Sequence, residues 1–551
     1  MERSTTIVVA VLLLVLLVAQ ARLLYIFPQP DSARWWGDET GQMLELRAEL
    51  QDGVARIPTG LGSSVAITNG LVRGNSWLAA AVYGVPAIIF SANDRSSANA
   101  ANLVTIGRTV TFLLTLLLLC MMCGLMRTLR APPLLALFAL LLLVSTRSFF
   151  FASHAARLDI AAGVAVLAFA WHLSSRYERF REGRWHPSAR WYFGYGIVAV
   201  LFATLSIHLL TLLGALTIYM LWRFRAYRSA SALFAAGGGA IVMLAVLLSV
   251  YALSGAPVSL FGPSSAPNQF QSVAAGLPIL RPFSRSVQVA NILERMHGLW
   301  SEAPAFLALL IVAIVFRFAV RRSFPSFARE RWIVGAAITI AIAWLLFESP
   351  ALYYYMQVLP LFVVALLLSI SGRWKRNRIS ALAVVLAGVF VFYFGFRDTI
   401  RASVLARRID RDNHTALVRA LDAIEHVSKA QKNITPLVLA QNPAIAWLEH
   451  ERAVRLMTAH LIGFPVSNAP VSTVLQQLGV NYMIIYAPHD GKTYSQDYLM
   501  LRPIADSLGT IIFKKTGILF DVHRDYFAET ALKDSASLDT LIVYKLPSIV
   551  R

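Results

Sequence analysis

Long apolar runs separated by short polar or basic connections dominate this chain from its first residues to about position 396. A helix that crosses a bilayer needs about 20 largely apolar residues. On that scale the pattern predicts eleven spans, near residues 7–26, 103–126, 132–150, 156–173, 191–206, 209–222, 231–253, 304–320, 332–347, 355–370 and 379–396. The runs at 191–206 and 209–222 are short, which suits a tilted or partly re-entrant helix. A further apolar run, 77–90, has 14 residues and contains Pro86. It is expected to lie flat on the membrane surface. Upstream of it, Leu44, Leu46, Leu50 and Val54 alternate with Glu45, Arg47, Glu49 and Asp52, the signature of an amphipathic surface helix. The first span resembles a cleavable signal sequence, but the apolar run continues to Phe27, which favours a retained anchor.

Beyond residue 397 the periodicity changes. Segments 435–440, 482–486, 510–514 and 540–546 read as strands, and 403–430, 441–461 and 471–478 as helices. This alternation predicts a soluble α/β domain over 397–551. The fold class expected is a polytopic α-helical membrane protein with a C-terminal extracytoplasmic α/β domain. The transmembrane part, 1–396, carries two long outer segments, 27–102 and 254–303.

Composition agrees with that reading: 57% of the 551 residues are hydrophobic and 15% charged, against about 45–50% and about 25% in soluble domains. The net charge of +20 raises the question of nucleic acid, and its placement answers it. Loops 1–6, 127–131, 174–190, 223–230, 317–331 and 371–378 hold 20 Lys and Arg against four acidic residues, Glu2, Glu178, Glu182 and Glu330. Cytoplasmic loops collect Lys and Arg. The excess is therefore topogenic: N-terminus inside, C-terminal domain outside, with no nucleic-acid partner expected. Cys120 and Cys123 lie in an apolar run without further ligands and read as packing residues.

Candidate chemistry gathers at the outer ends of the spans. Asp38 and Glu39 follow the first span beside Trp35 and Trp36, and Arg157 and Asp159 open the fourth. The first pair also reads as a solvated pair or a helix cap. Asp159 also reads as a carboxylate complementing a helix N-terminus, and Tyr353, Tyr354 and Tyr355 as an aromatic belt. Almost no charge falls mid-span, where ion-coupled transporters place theirs. Carboxylates at the outer face suit deprotonation of an acceptor hydroxyl and orientation of sugar hydroxyls, and cations suit a phosphate leaving group.

Together these features resemble the GT-C superfamily of membrane glycosyltransferases, in particular protein O-mannosyltransferases and the lipid A aminoarabinose transferases. The carriers are Asp38-Glu39 with Arg47 and Gly53 downstream, the segment Thr105-Ile106-Gly107-Arg108, Arg157-Leu158-Asp159, and Tyr354 six residues before Pro360. Relatives carry Lys-Pro-Pro-Leu in the second interfacial helix where this chain reads Arg73-Gly74-Asn75-Ser76, and a lysine where it has His208. The resemblance implies transfer of a sugar from a polyprenyl-phosphate donor to an extracytoplasmic lipid, glycan or protein acceptor, with inversion, in a bacterial inner membrane. It implies Asp38 as general base, with Asp159 and Glu39 as further catalytic carboxylates. Arg73, Arg157, His208 and Tyr354 would surround the donor phosphate. No cofactor is required by this chemistry, although some members of the superfamily use a divalent metal. The alternative reading is a lipid-linked sugar transporter or flippase.

Overall fold

The computed structural model describes residues 56–58, 64–66, 77–91, 97–131, 133–144, 146–153, 156–253, 328–347, 352–374, 415–429, 436–440, 455–458, 479–487, 496–518 and 539–547, with single positions at 43, 46, 47, 50, 393, 397, 472 and 475. The expected spans 7–26, 304–320 and 379–396, the outer loop 254–303, and Leu44 and Val54 lie outside or almost outside these residues.

Among the described residues the first part of the chain is a helical bundle. Segment α1 covers 77–90: it is α-helical over Trp77–Ala79, a π turn over Ala80–Gly84, and α-helical again over Val85–Phe90. There follow α2 (Ser97–Thr128), α3 (Pro133–Val144), α4 (Arg147–Ala152), α5 (Asp159–Arg181), α6 (Ala189–Ala203), α7 (Ile207–Arg223), α8 (Ala230–Leu253), α9 (Ala328–Phe347) and α10 (Leu359–Trp374). Two stretches, Asn102–Thr128 and Ala230–Ser249, are each long and apolar enough to cross a membrane. Shorter apolar helices occupy Leu135–Val144, Ala189–Ala203, Leu209–Arg223 and Leu359–Leu368.

Two expected spans are built differently. The run 132–150 is two helices, α3 and α4, because Thr146 stops the first and starts the second. Its backbone N–H donates to the Leu143 carbonyl (3.1 Å), and its hydroxyl oxygen accepts from the Phe149 N–H (3.2 Å). Such a hydroxyl is a favoured N-cap. The run 355–370 opens as a 3-10 turn over Leu352–Gln357, and the α-helix begins only at Leu359. Pro360 falls in the first helical turn, where its missing N–H costs nothing.

Packing follows from small residues at the crossings. A Cβ on Gly196 would stand 2.2 Å from the Ala236 carbonyl oxygen, and one on Gly239 would stand 2.0 Å from that of Phe193. Helices α6 and α8 therefore touch backbone to backbone, a geometry that only glycine permits. Trp332, Trp344 and Tyr355 are among the largest fully buried side chains of the bundle core.

Polar side chains separate the two ends of the bundle. At one end Arg329 at the start of α9 pairs with Glu178 near the end of α5. Arg223 at the end of α7 donates to the Tyr177 hydroxyl (2.7 Å) and lies 4.6 Å from the centre of that ring. Asp159 opens α5 at the other end. A 23-residue helix is about 33 Å long, close to the thickness of a bilayer hydrocarbon core.

The C-terminal part is a five-stranded mixed sheet between two helical layers. Its strands are β3 (Leu437–Ala440), β4 (Arg455–Thr458), β5 (Tyr482–Ala487), β6 (Thr510–Ile518) and β7 (Asp539–Lys545), in the order β4-β3-β5-β7-β6. β1 (Arg56–Pro58) and β2 (Ser64–Ala66) form a separate antiparallel pair in the first part. β3 is parallel to β4 and β5, whereas β7 is antiparallel to β5 and β6. Helix α11 (415–429) buries Ala416, Leu417, Ala420, Leu421 and Ile424 against Val438, Tyr482, Ile484 and Val543. Helix α12 (Gln496–Leu508) buries Leu501 and Ala505 on the opposite face with Met483, Ile485 and Tyr544. The expected helix 441–461 is corrected, since 455–458 is strand β4. Helix α12 was not expected: Pro503 lies inside it and conceals its pattern.

Candidate active site: a buried carboxylate at the start of α5

The site is built on the start of α5. Asp159 is in the first helical turn, where a carboxylate complements the partial positive charge of the exposed amides. Arg157 precedes the helix and so escapes the helical spacing that would keep residues two apart on different faces. Its Nε donates to Asp159 Oδ2 at 3.0 Å, and the two side chains are 12% and 5% exposed. The other carboxylate oxygen, Oδ1, accepts from Gln357 Nε2 at 3.3 Å. Gln357 closes the 3-10 turn before α10, 198 residues along the chain, and is buried.

Tyr83 ties this centre to α1. It lies within the π turn, fully buried, and its hydroxyl donates to the Arg157 carbonyl at 3.0 Å. The same oxygen is 3.0 Å from Thr111 Oγ1 on α2. A phenol has one proton, so Thr111 is the donor in that contact. Burial pushes the Tyr83 phenol up, an effect that exceeds the opposing hydrogen bond from Thr111, and the nearby Asp159 charge adds to it. The hydroxyl therefore remains a donor at all physiological pH values.

Glycines bring the remaining pieces within reach. A Cβ on Gly107 of α2 would stand 2.5 Å from Ala156 Cβ and 2.6 Å from Met43 Sδ. Positions 43, 46, 47 and 50 are helical, and Met43, Leu46 and Arg47 are buried. The interior stripe of this helix thus includes Met43, a position the amphipathic pattern had not included. A Cβ on Gly84 would stand 2.6 Å from the Leu46 carbonyl oxygen, so α1 crosses this helix at close range. Arg47 Nη1 donates to Ser91 Oγ at 2.9 Å, just past the end of α1. Arg108 is buried beside Gly107 on α2. On α1, Val85, Ile88, Ile89 and Phe90 are exposed, an apolar surface facing away from the bundle.

Of the expected site residues, Arg157 and Asp159 are brought together. His208 lies in the first turn of α7 and Tyr354 in the 3-10 turn that ends at Gln357. Asp38, Glu39 and Arg73 lie outside the described residues. Arg157, expected near a phosphate, spends its Nε on Asp159. Gln357, Tyr83 and Thr111 were missed by sequence reasoning. Gln357 carried a legible signal, an amide in a long apolar run, because polar groups there are expensive unless partnered. Among the described residues no three His, Cys, Asp or Glu side chains converge as a metal donor set. Cys120 and Cys123 are exposed on the outside of α2.

A carboxylate held by a guanidinium on one oxygen and an amide on the other has a fixed orientation. It is suited to positioning hydroxyl groups. No protein-family model and no curated protein matches the chain. Among solved structures it is similar to the crystal structure of ArnT from Cupriavidus metallidurans in the apo state, at a TM-score of 0.45 and 13% identity over 98% of each chain.

Proposed function

We propose that this chain is an integral membrane glycosyltransferase that moves a sugar from a polyprenyl-phosphate donor to an extracytoplasmic acceptor with inversion at the anomeric carbon. The observation that carries the reading is the buried Asp159 carboxylate, clamped by Arg157 and Gln357 at the end of the bundle opposite the Arg223 and Arg329 contacts. The GT-C-like sequence pattern supplies the reaction. Asp38 and Glu39 precede Met43 by five and four residues, and five residues of chain reach at most ~18 Å. Met43 in turn packs at Gly107, beside Ala156.

In the proposed step Asp38 takes the proton of the acceptor hydroxyl, and the acceptor oxygen attacks the sugar C1 from the face opposite the phosphate. The C1–O bond breaks as the new one forms, and the polyprenyl phosphate leaves with the electron pair. Asp159 orients sugar or acceptor hydroxyls, and Glu39 assists at the same centre. Arg73, His208 and Tyr354 bind the phosphate, and Arg157 holds Asp159 in place. A phosphate is a good leaving group, so no strong general acid is needed.

The test uses membranes containing wild-type protein or Asp38→Asn, supplied with radiolabelled polyprenyl-phosphate sugars. Donor-dependent transfer of label that is lost in the folded variant supports the reading. Label that crosses the bilayer unchanged, at equal rates in both proteins, overturns it in favour of a flippase.

A further inference from the structure

Gln357 presents an unusual pair of atoms. Its Nε2 donates to Asp159 Oδ1, and its Oε1 is buried without a hydrogen-bond partner among the described residues. The residue is 1% exposed. Turning the amide over would not relieve this, because a carboxylate only accepts and would then face the amide oxygen. Asp159 therefore fixes which way the amide points, and the acceptor atom is left aimed elsewhere. A buried acceptor without a donor costs free energy. Retaining one next to a clamped carboxylate is the arrangement of a group whose partner arrives with a ligand.

We propose that Gln357 is a substrate-binding residue whose Oε1 accepts a hydrogen bond from a hydroxyl of the sugar donor or of the acceptor, while its Nε2 holds Asp159 in place. This rests on the glycosyltransferase reading above and deepens it. The ligand chemistry is a neutral hydroxyl donor: a lone carbonyl oxygen selects a hydrogen-bond donor, not a phosphate. Two polar groups 198 residues apart in the chain, Asp159 opening α5 and Gln357 preceding α10, would then read the same substrate from adjacent directions.

The experiment compares wild-type protein with Gln357→Met, which keeps the length of the side chain and removes both polar atoms. Equilibrium binding in detergent is measured with undecaprenyl-phosphate-linked sugar and with undecaprenyl phosphate alone. The acceptor KM is measured in the transfer assay. Loss of one neutral hydrogen bond predicts about tenfold weaker binding. A drop of that size for the sugar-linked lipid, with bare undecaprenyl phosphate unchanged, assigns the hydroxyl to the donor. An equal rise in acceptor KM with donor binding unchanged assigns it to the acceptor. Unchanged values in both arms, or equal weakening of both lipids, overturn the proposal. Where Gln357→Met fails to fold, Gln357→Asn, with an amide on a shorter stem, carries the same comparison. Wild-type protein that neither binds nor transfers any lipid-linked sugar would instead refute the glycosyltransferase reading itself.

Discussion

The Arg157–Asp159 contact makes a quantitative prediction for a double-mutant cycle. Asp159→Asn removes the charge and leaves a guanidinium that is 12% exposed facing a neutral amide, 3.0 Å away in the parent. Removing one partner of a buried pair costs about 3–5 kcal/mol at the upper end. Here Arg157 keeps some solvent, so about 2–3 kcal/mol is expected, of the order of a charge-assisted hydrogen bond. A further ~0.5 kcal/mol comes from the lost helix N-terminal carboxylate. Arg157→Met strands the carboxylate with Gln357 as its remaining described donor, at a similar cost. The double variant removes both charges together, so its loss should fall short of the sum of the singles by about 1.5–3 kcal/mol. Reversible unfolding in mixed micelles, followed by tryptophan fluorescence, measures all four corners. Losses that add to within about 0.5 kcal/mol would show that the two groups do not interact and would refute the clamp.

Tyr83→Phe should destabilise the bundle by about 1–3 kcal/mol, because the Arg157 carbonyl loses its phenol donor and the Thr111 hydroxyl its acceptor; thermal unfolding in detergent tests this, and an unchanged midpoint refutes it. Gly239→Val should prevent folding or separate α6 from α8, since even a Cβ would stand 2.0 Å from the Phe193 carbonyl oxygen; a wild-type gel-filtration profile and melting point would contradict that close approach. In the C-terminal part, burial pushes the Asp506 carboxyl up, but hydrogen bonds from Arg502 and Tyr544 and the Arg502 charge outweigh it and leave the group below its ordinary 3.8. A depressed carboxyl stabilises the fold above its unfolded pKa and loses that stabilisation as pH falls through the folded value. Acid should therefore destabilise this part below about pH 4, by less in Asp506→Asn than in wild type, and equal acid sensitivity in circular-dichroism melts would refute the linkage.

Much of the fold was legible because periodicity is local. Apolar runs located α2, α5, α6, α7, α8 and α9, and alternation located strands β3, β5, β6 and β7. Where the reading missed, a local signal competed with a tertiary one. Thr146 is one residue in an apolar run, yet its hydroxyl divides a helix in two. Strand β4 looked helical until its pairing with β3 supplied the missing half of its hydrogen bonds. In the site, Arg157 and Asp159 were visible as charges beside an apolar helix, but their mutual contact was not. Helical spacing would have separated them, and only the non-helical backbone at 157 allows the ion pair.

The sequence by itself determined which segments are apolar, where the basic residues collect, and that carboxylates gather at span ends, because each depends on composition over a few neighbouring residues. Tertiary structure alone decided that Gln357 meets Asp159 across 198 positions, that Tyr83 reaches the Arg157 carbonyl across 74, and that Gly84, Gly107 and Gly239 are points of close approach between elements. Those are distances between elements, set by how the bundle packs, and no local pattern encodes them.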